Sequence, residues 1–189
     1  MKTYIILMGL VMFLSSCVAD TQLSTSTSKA SEDEFEEVVK TLDSPQSISH
    51  YMLNRIHYTK GVQYDSSRIH GYHWKYPEET FKDGYGFCYD LSAFALYALR
   101  RHGNSSARLL FVCWGNWGIV SESGHFVTVY EEGNQYYSID SGVLKGPFGT
   151  LDGLLKSASR NRKIRNHRFF NYDEIRFHTT YTDMRFFCP

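Results

Sequence analysis

Apolar side chains recur three and four residues apart in the first half of this chain, then every second residue in much of the second half. From Glu32 to Leu42, Phe35, Val38, Val39 and Leu42 fall on one helical face. Ser44-Pro45 supplies an N-cap and a proline for the first position of a second helix. Ile48, Tyr51, Met52 and Ile56 continue that helix on one face. From Gly61 to Gly86 the chain reads as loop, rich in aromatics: Tyr64, Tyr72, Trp74, Tyr76, Phe81 and Tyr85. Cys88 to His102 is the strongest helical stretch. Leu91, Ala95, Ala98 and Leu99 are its apolar positions, and Gly103 is its stop.

After that helix the period shortens. Ala107 to Trp114 is an apolar strand candidate. His125 to Tyr130 and Gln135 to Asp140 alternate around Glu-Glu-Gly-Asn, which predicts a hairpin. Leu151 to Ala158 reads as a short helix, and Phe169-Phe170, Ile175 to Tyr181 and Met184 to Phe187 as late strands. Helices first and a largely antiparallel sheet afterwards is α+β order. No internal repeat is visible.

The N-terminus adds a processing segment. Met1-Lys2 is a short positive region, and an apolar run follows from Tyr4 to Leu14. A bilayer-spanning helix needs about 20 apolar residues, so the run is too short to span. A charged start, a short apolar core and small residues before a cut site describe a secretory signal. Leu14-Ser15-Ser16-Cys17 resembles a bacterial lipobox, which implies lipidation of Cys17 as the first residue of the mature chain. Val18 follows, so the aspartate of an inner-membrane retention signal is absent, which favours the outer membrane. Asp20 to Ser31 is Ser/Thr-rich and too polar to offset its ordering entropy. The expected organisation is therefore a signal peptide over 1–16, a lipidated cysteine and flexible tether over 17–31, and one domain over 32–189.

At 42% hydrophobic and 16% aromatic residues, the chain has enough apolar material for a true core. Its net charge is zero, but unevenly laid out. Glu32-Asp33-Glu34 and Glu36-Glu37 make the start acidic, whereas Lys156, Arg160, Arg162, Lys163, Arg165 and Arg168 make a late segment basic. A basic run of this kind binds anionic partners or forms a solvated face. The secretory signal argues against nucleic acid, and a solvated face, one that could dock the acidic first helix, is the expectation. Of the four cysteines, lipidation of Cys17 leaves three, an odd number that flags a free thiol. Either Cys113 and Cys188 pair and leave Cys88 reduced, or Cys113 is a buried strand thiol and Cys188 a loose end.

Cys88 is the first candidate for chemistry. It follows Lys82-Asp83-Gly84-Tyr85-Gly86-Phe87 and opens the strongest helix. The glycines permit close backbone approach to a ligand. A helix N-terminus offers unpaired N–H groups and a partial positive charge, which favour thiolate over thiol and can hold an oxyanion. A nucleophile needs a base, and among eight histidines His125 is distinguished by its partner. A two-residue turn at Glu132-Gly133 or a four-residue loop places His125 opposite Asp140 in the hairpin. Opposed Cβ atoms lie about 4.5–5.5 Å apart, close enough for the carboxylate to fix the imidazole. A three-residue loop aligns Ser141 instead.

These residues carry a resemblance. Gly86-Phe87-Cys88-Tyr89-Asp90-Leu91-Ser92 resembles the G-x-C-x-D-x-A/S signature of the transglutaminase-like superfamily. Leu99-Arg100-Arg101-His102-Gly103 with Ala107-Arg108-Leu109 resembles its continuation into the first strand. Gly124-His125-Phe126-Val127-Thr128-Val129-Tyr130 and Tyr137-Ser138-Ile139-Asp140 resemble its histidine and aspartate strands. The similarity runs from about Tyr64 to Asp140 and departs from the family at Tyr137, Phe126 and the strand from Leu109 to Trp114. It implies a papain-like fold in which the active-site helix packs on an antiparallel sheet. It also implies a Cys88–His125–Asp140 catalytic triad and an acyl-enzyme thioester.

The family also uses an upstream side chain as oxyanion donor. Gln63, Trp74 and Tyr76 are candidates, with Trp74 favoured, and Asp90 is expected to cap or position the active-site helix without a catalytic role. Trp114-Gly115-Asn116-Trp117-Gly118 is either a cleft-lining loop or a packed surface loop. His70-x-x-His73 lacks the further ligands that complete a tetrahedral zinc site, so no metal and no cofactor are expected. The implied function is a secreted, membrane-anchored thiol peptidase or amidase of the cell envelope, acting on peptides or proteins, including cell-wall peptides. A non-catalytic lipoprotein binding module and a crosslinking transglutaminase are the alternatives.

Overall fold

The computed structural model describes residues 32–59, 73–114 and 124–179. A helix over 32–41 (α1) leads into α2 (Pro45–Arg55), the short strand β1 (His57–Tyr58), α3 (Pro77–Asp83), β2 (Tyr85–Gly86) and the long helix α4 (Cys88–Arg101). The second half supplies β3 (Arg108–Cys113), β4 (Gly124–Glu132), β5 (Gln135–Asp140), β6 (Val143–Phe148), α5 (Leu151–Ala158), β7 (Asn166–Phe170) and a 3₁₀ turn at Tyr172–Glu174. The expected α+β order is observed. The sheet has five strands in the order β6-β5-β4-β3-β7, and every neighbouring pair is antiparallel.

Strand alternation divides the interior into two cores. Leu109, Phe111 and Cys113 of β3, Phe126 and Tyr130 of β4, and Ile139 of β5 join α4 in the larger one. Leu110 and Val112 of β3 and Val127 and Val129 of β4 point the other way, onto Leu154 and Ala158 of α5. A helix on the outside of a sheet needs only one apolar stripe, but α4 is apolar almost all round. Leu91, Ala93, Phe94, Ala95, Leu96 and Ala98 are all fully buried. The reason is that α1, α2 and α3 cover its outer side: Phe35 of α1 packs on Phe81 and Phe94, and Tyr51 of α2 stacks on Phe94. The Thr128 hydroxyl donates to the Ser92 carbonyl at 2.6 Å and locks β4 to α4.

Several expectations are corrected. The described part of the aromatic stretch before Cys88 contains α3 and β2 rather than loop alone. Pro77 opens α3, Glu79 accepts from the Tyr76 N–H, and Gly84 closes the helix with a φ of 67°. Strand β6 was not expected. It is an edge strand, which is where a sheet tolerates Pro147. The late candidate Ile175 to Tyr181 is not a strand over its described part, 175–179. There His178 donates its N–H to the Trp74 carbonyl, and Trp74 donates back to Thr179. The Met184 to Phe187 candidate lies outside the described residues.

The basic residues Lys156, Arg160, Arg162, Lys163, Arg165 and Arg168 are all exposed, as a solvated face requires. They do not dock on the acidic helix: α5 lies on the small-core face of the sheet, whereas α1 sits over α4 on the other face. Glu36 of α1 pairs instead with Arg101 at 2.6 Å and with the Tyr97 phenol, which that contact and burial push up to about 12.

Candidate active site

The chain reaches Cys88 through a tightly held approach. β1 and β2 form a parallel two-residue bridge that fixes the segment before the helix against the end of α2. Gly86 sits where a Cβ would lie 2.7 Å from the Cβ of Asp90, so no larger residue fits without moving the turn. Asp90 is fully buried; its Oδ2 accepts from the Phe87 N–H at 2.8 Å and its Oδ1 from the Lys75 N–H at 2.9 Å. A carboxylate in the first turn satisfies a helix-end donor and complements the dipole. Asp90 thus ties both the cap and the upstream chain to the first turn, as a positioning group. Cys88 is the first residue of α4, half-buried, and free of any disulfide.

His125 and Asp140 meet as expected but by a different register. The β4–β5 turn is Gly133-Asn134, both with positive φ, and Glu132 pairs with Gln135. Extending that register sets Asp140 opposite Val127, two residues from the expected alignment with His125. A shift of two preserves which side of the strand each side chain occupies. The two residues are therefore diagonal neighbours, still within reach of long side chains. The His125 Nε2 lies 2.6 Å from Asp140 Oδ1, with both residues buried. The imidazole is also close enough to Cys88 for the sulfur to act on its protonation, so helix and sheet meet at this site. With Nε2 taken by Asp140, Nδ1 is the ring nitrogen left for the sulfur.

The electrostatics follow from these contacts. Burial opposes a charge on His125, yet the hydrogen bonds to Asp140 and Cys88 outweigh it and raise its pKa to about 9. Burial likewise opposes a charge on Asp140, but His125 and Lys145 hold its carboxyl far below the usual range. Lys145 of β6 was not anticipated: its Nζ lies 2.6 Å from Asp140 Oδ2. The Ser141 hydroxyl adds a longer donation to Oδ1 at 3.3 Å. A two-residue turn, Ser141-Gly142, folds β6 back on β5 and brings Lys145 diagonally across from Asp140. The sequence cue was the pair of turn-forming residues between two apolar strand ends.

Trp74 does not occupy the place expected of an oxyanion donor. It is 1% exposed, and its indole N–H, the side chain's single donor, is given to the Tyr89 carbonyl at 3.2 Å. Its rings pack on Tyr89, Phe126 and Phe177, so it supports the helix from below. Tyr76 stacks on Phe177, while Gln63, Cys17, His70 and residues 115–118 lie outside the described residues. Trp114 is half-buried beneath the Arg162 guanidinium and packs with the smaller core. Cys113 is disulfide-bonded and Cys88 is free. No group of three or more potential metal ligands occurs among the described residues, and no described helix is long and apolar enough to cross a membrane. A cleft of about 350 Å³ lined by Ile48, Leu99, His102 and Tyr130 opens at the far end of α4. At 1.5 Å per residue, it is about 16 Å along the axis from Cys88 and belongs to a separate region.

A cysteine at the head of a buried helix, facing histidine and aspartate strands of an antiparallel sheet, is the arrangement of the α+β papain-like fold. Comparison with solved structures agrees: the chain is similar to LapG of Legionella pneumophila in three forms. An EGTA-treated form matches at a TM-score of 0.51 with 16% identity over 79% of this chain and 78% of LapG. A calcium-bound form matches at 0.51 with 14% identity over 79% and 84%, and a further form at 0.50 with 14% over 79% and 83%. At such identities the likeness is one of fold. No family model and no curated protein matches the chain.

Proposed function

We propose that this chain is a thiol enzyme of the transglutaminase-like superfamily that cleaves amide bonds of peptides, with Cys88 as nucleophile, His125 as acid–base and Asp140 as its orienting carboxylate. The observation that carries this reading is the buried His125–Asp140 pair at 2.6 Å with Cys88, at the head of a helix, acting on the same imidazole. The sulfur attacks the amide carbonyl, the C–N bond breaks as His125 protonates the leaving amine, and a thioester remains on Cys88. Water then adds to the thioester carbon, His125 accepts its proton, and the C–S bond breaks to release the acid. The helix N-terminus supplies N–H groups where the oxyanion forms.

The N-terminal segment supports an envelope location, with Cys17 lipidated and residues 17–31 as tether. Anchoring at a surface confines the enzyme to substrates within tether reach, namely peptides or proteins of the envelope. Hydrolysis is the favoured outcome over transfer to an amine. The fold likeness to LapG supports the class of enzyme and leaves the substrate open.

Iodoacetamide labelling tests the reading. Cys88 is expected to alkylate faster than free cysteine at the same pH, and Cys88→Ala to abolish that labelling. Alkylation no faster than that of free cysteine would favour the binding-module alternative.

A further inference from the structure

The triad explains one oxygen of Asp140 and leaves the other to Lys145. Asp140 is 5% exposed, its Oδ1 meets His125 and its Oδ2 meets the Lys145 Nζ at 2.6 Å. During turnover the first partner is intermittent. Once His125 has given its proton to a leaving group, the imidazole is neutral and Asp140 faces no cation on that side. A buried carboxylate without a partner is costly; it takes up a proton or turns toward another donor. Lys145 is the permanent counter-charge, a third exposed and reaching Asp140 from the edge strand.

We propose that Lys145 is a positioning residue of this site: it anchors Asp140 through Oδ2, keeps Oδ1 directed at His125, and holds the carboxylate ionised while His125 is neutral. This rests on the thiol-enzyme reading above and deepens it, because it separates the two halves of the reaction. In the resting enzyme the imidazolium itself is the cation beside Asp140, so Cys88 reacts with electrophiles whether or not Lys145 is present. In the thioester intermediate His125 must be neutral to accept a proton from water. There the ammonium lowers the affinity of the His125–Asp140 pair for that proton. Water adds to the acyl carbon, its proton goes to His125, and the C–S electron pair returns to sulfur, which restores the resting pair.

The surrounding charges leave this role to Lys145. His125 on β4 and Lys145 on β6 are the charged groups acting on Asp140, and α4 contributes Cys88 through His125. The helix α2, packed on β6, presents the neutral Ser49 hydroxyl to the Gly142 carbonyl, while its His50 and Arg55 are exposed. The helix α5, packed on β5 and β6, keeps Asp152 and Lys156 on its exposed side.

The test uses p-nitrophenyl acetate on the full chain, because the burst of p-nitrophenol reports acylation and the steady rate reports hydrolysis of the thioester. Lys145→Met is expected to retain a burst of about one equivalent and to slow the steady rate about tenfold or more. Its pH midpoint is expected to move upward by about one unit. Lys145→Arg, which restores the charge, is expected to recover most of the rate and the midpoint. Lys145→Gln is read in parallel in case the apolar replacement disturbs the edge strand. Neutral variants with the wild-type rate and midpoint would overturn the proposal. So would an equal slowing in the neutral and arginine variants with no shift of midpoint. Absence of a burst in the wild type, or a burst that survives Cys88→Ala, would sink the thiol-enzyme reading itself, which keeps the two failures apart.

Discussion

The two faces of the sheet are built to different ends. One face carries α4, three covering helices and a large aromatic cluster that extends from Phe35 to Phe170. The other carries a single short helix whose Leu154 and Ala158 pack on four buried aliphatic side chains of the sheet. On the first face the packing reaches the reacting groups within one or two residues: Phe126 follows His125 in the chain and packs on Trp74 and Phe111, and Trp74 in turn supports Tyr89 beside Cys88. His125 and Asp140 share strand parity with Val127 and Val129 of the second face, and Cys88 comes to them from the head of α4 on the first. The difference teaches that stability is shared by both faces while the site is assembled where they meet, at the start of β4. Substitutions on each face therefore ask which packing the site depends on.

The largest effect is expected at Cys88, the proposed nucleophile. Cys88→Ala should lower turnover by at least about 10³-fold, since removing one member of a triad leaves only binding and oxyanion stabilisation. Its thermal unfolding should change little, because the side chain is small and half-buried. Comparable residual turnover in a purified Cys88→Ala protein would place the chemistry elsewhere.

Packing substitutions come next and compare the faces directly. Phe126→Ala should cost about 4 kcal/mol, in the range for buried aromatic truncation, and should also reduce Cys88 alkylation at temperatures where the protein remains folded. Leu154→Ala should cost about 3 kcal/mol and leave the alkylation rate of the folded protein unchanged. Denaturant unfolding and iodoacetamide kinetics on the same samples measure both quantities. Equal loss of reactivity from the two variants would erase the distinction between the faces. Asp90→Ala is expected to cost on the order of 3 kcal/mol, since it strands the Phe87 and Lys75 N–H groups. It should loosen the turn before Cys88, read as faster hydrogen exchange there than in Leu154→Ala.

What the sequence showed of this arrangement was local. Helical spacing marked α4 because its apolar positions follow one another closely, and the Glu-Gly-Asn turn marked the β4–β5 hairpin. Parity along the strands put His125 and Asp140 on the same side whichever of the even loops formed, which is why their meeting survived a misplaced turn. The turn itself moved because Gly133 and Asn134 both adopt positive φ, at 56° and 66°, a conformation that suits this pair better than Glu132-Gly133. Lys145 was not legible, because β6 contains Gly146 and Pro147 and lacks the apolar alternation that announces a strand. Trp74 was misread for a different reason. Whether an indole N–H is free depends on a carbonyl fifteen residues away, which no spacing rule reports.

The smallest expected effect is read by pH rather than by packing. The folded His125 pKa is about 9 against an unfolded value near 6.5, so the stability from its charged form is complete below about pH 6.5. That stability is lost as pH rises through the folded value. Asp140 is depressed, so its contribution is complete above about pH 3.9 and fades only as pH falls below that. The two windows overlap between about pH 4 and 6.5. Wild-type stability should fall between pH 6.5 and 9.5 by an amount on the order of 1–3 kcal/mol, read from denaturant midpoints at each pH. Cys88→Ala should show a smaller fall, since Asp140 is then the remaining support for the imidazolium, and His125→Gln should lose this component altogether. Leu154→Ala should lower the whole curve without changing its shape, because Leu154 packs among aliphatic side chains and carries no titrating group. A curve whose alkaline limb is reshaped by Leu154→Ala as strongly as by His125→Gln would mean that the aliphatic packing itself holds the ion pair in place.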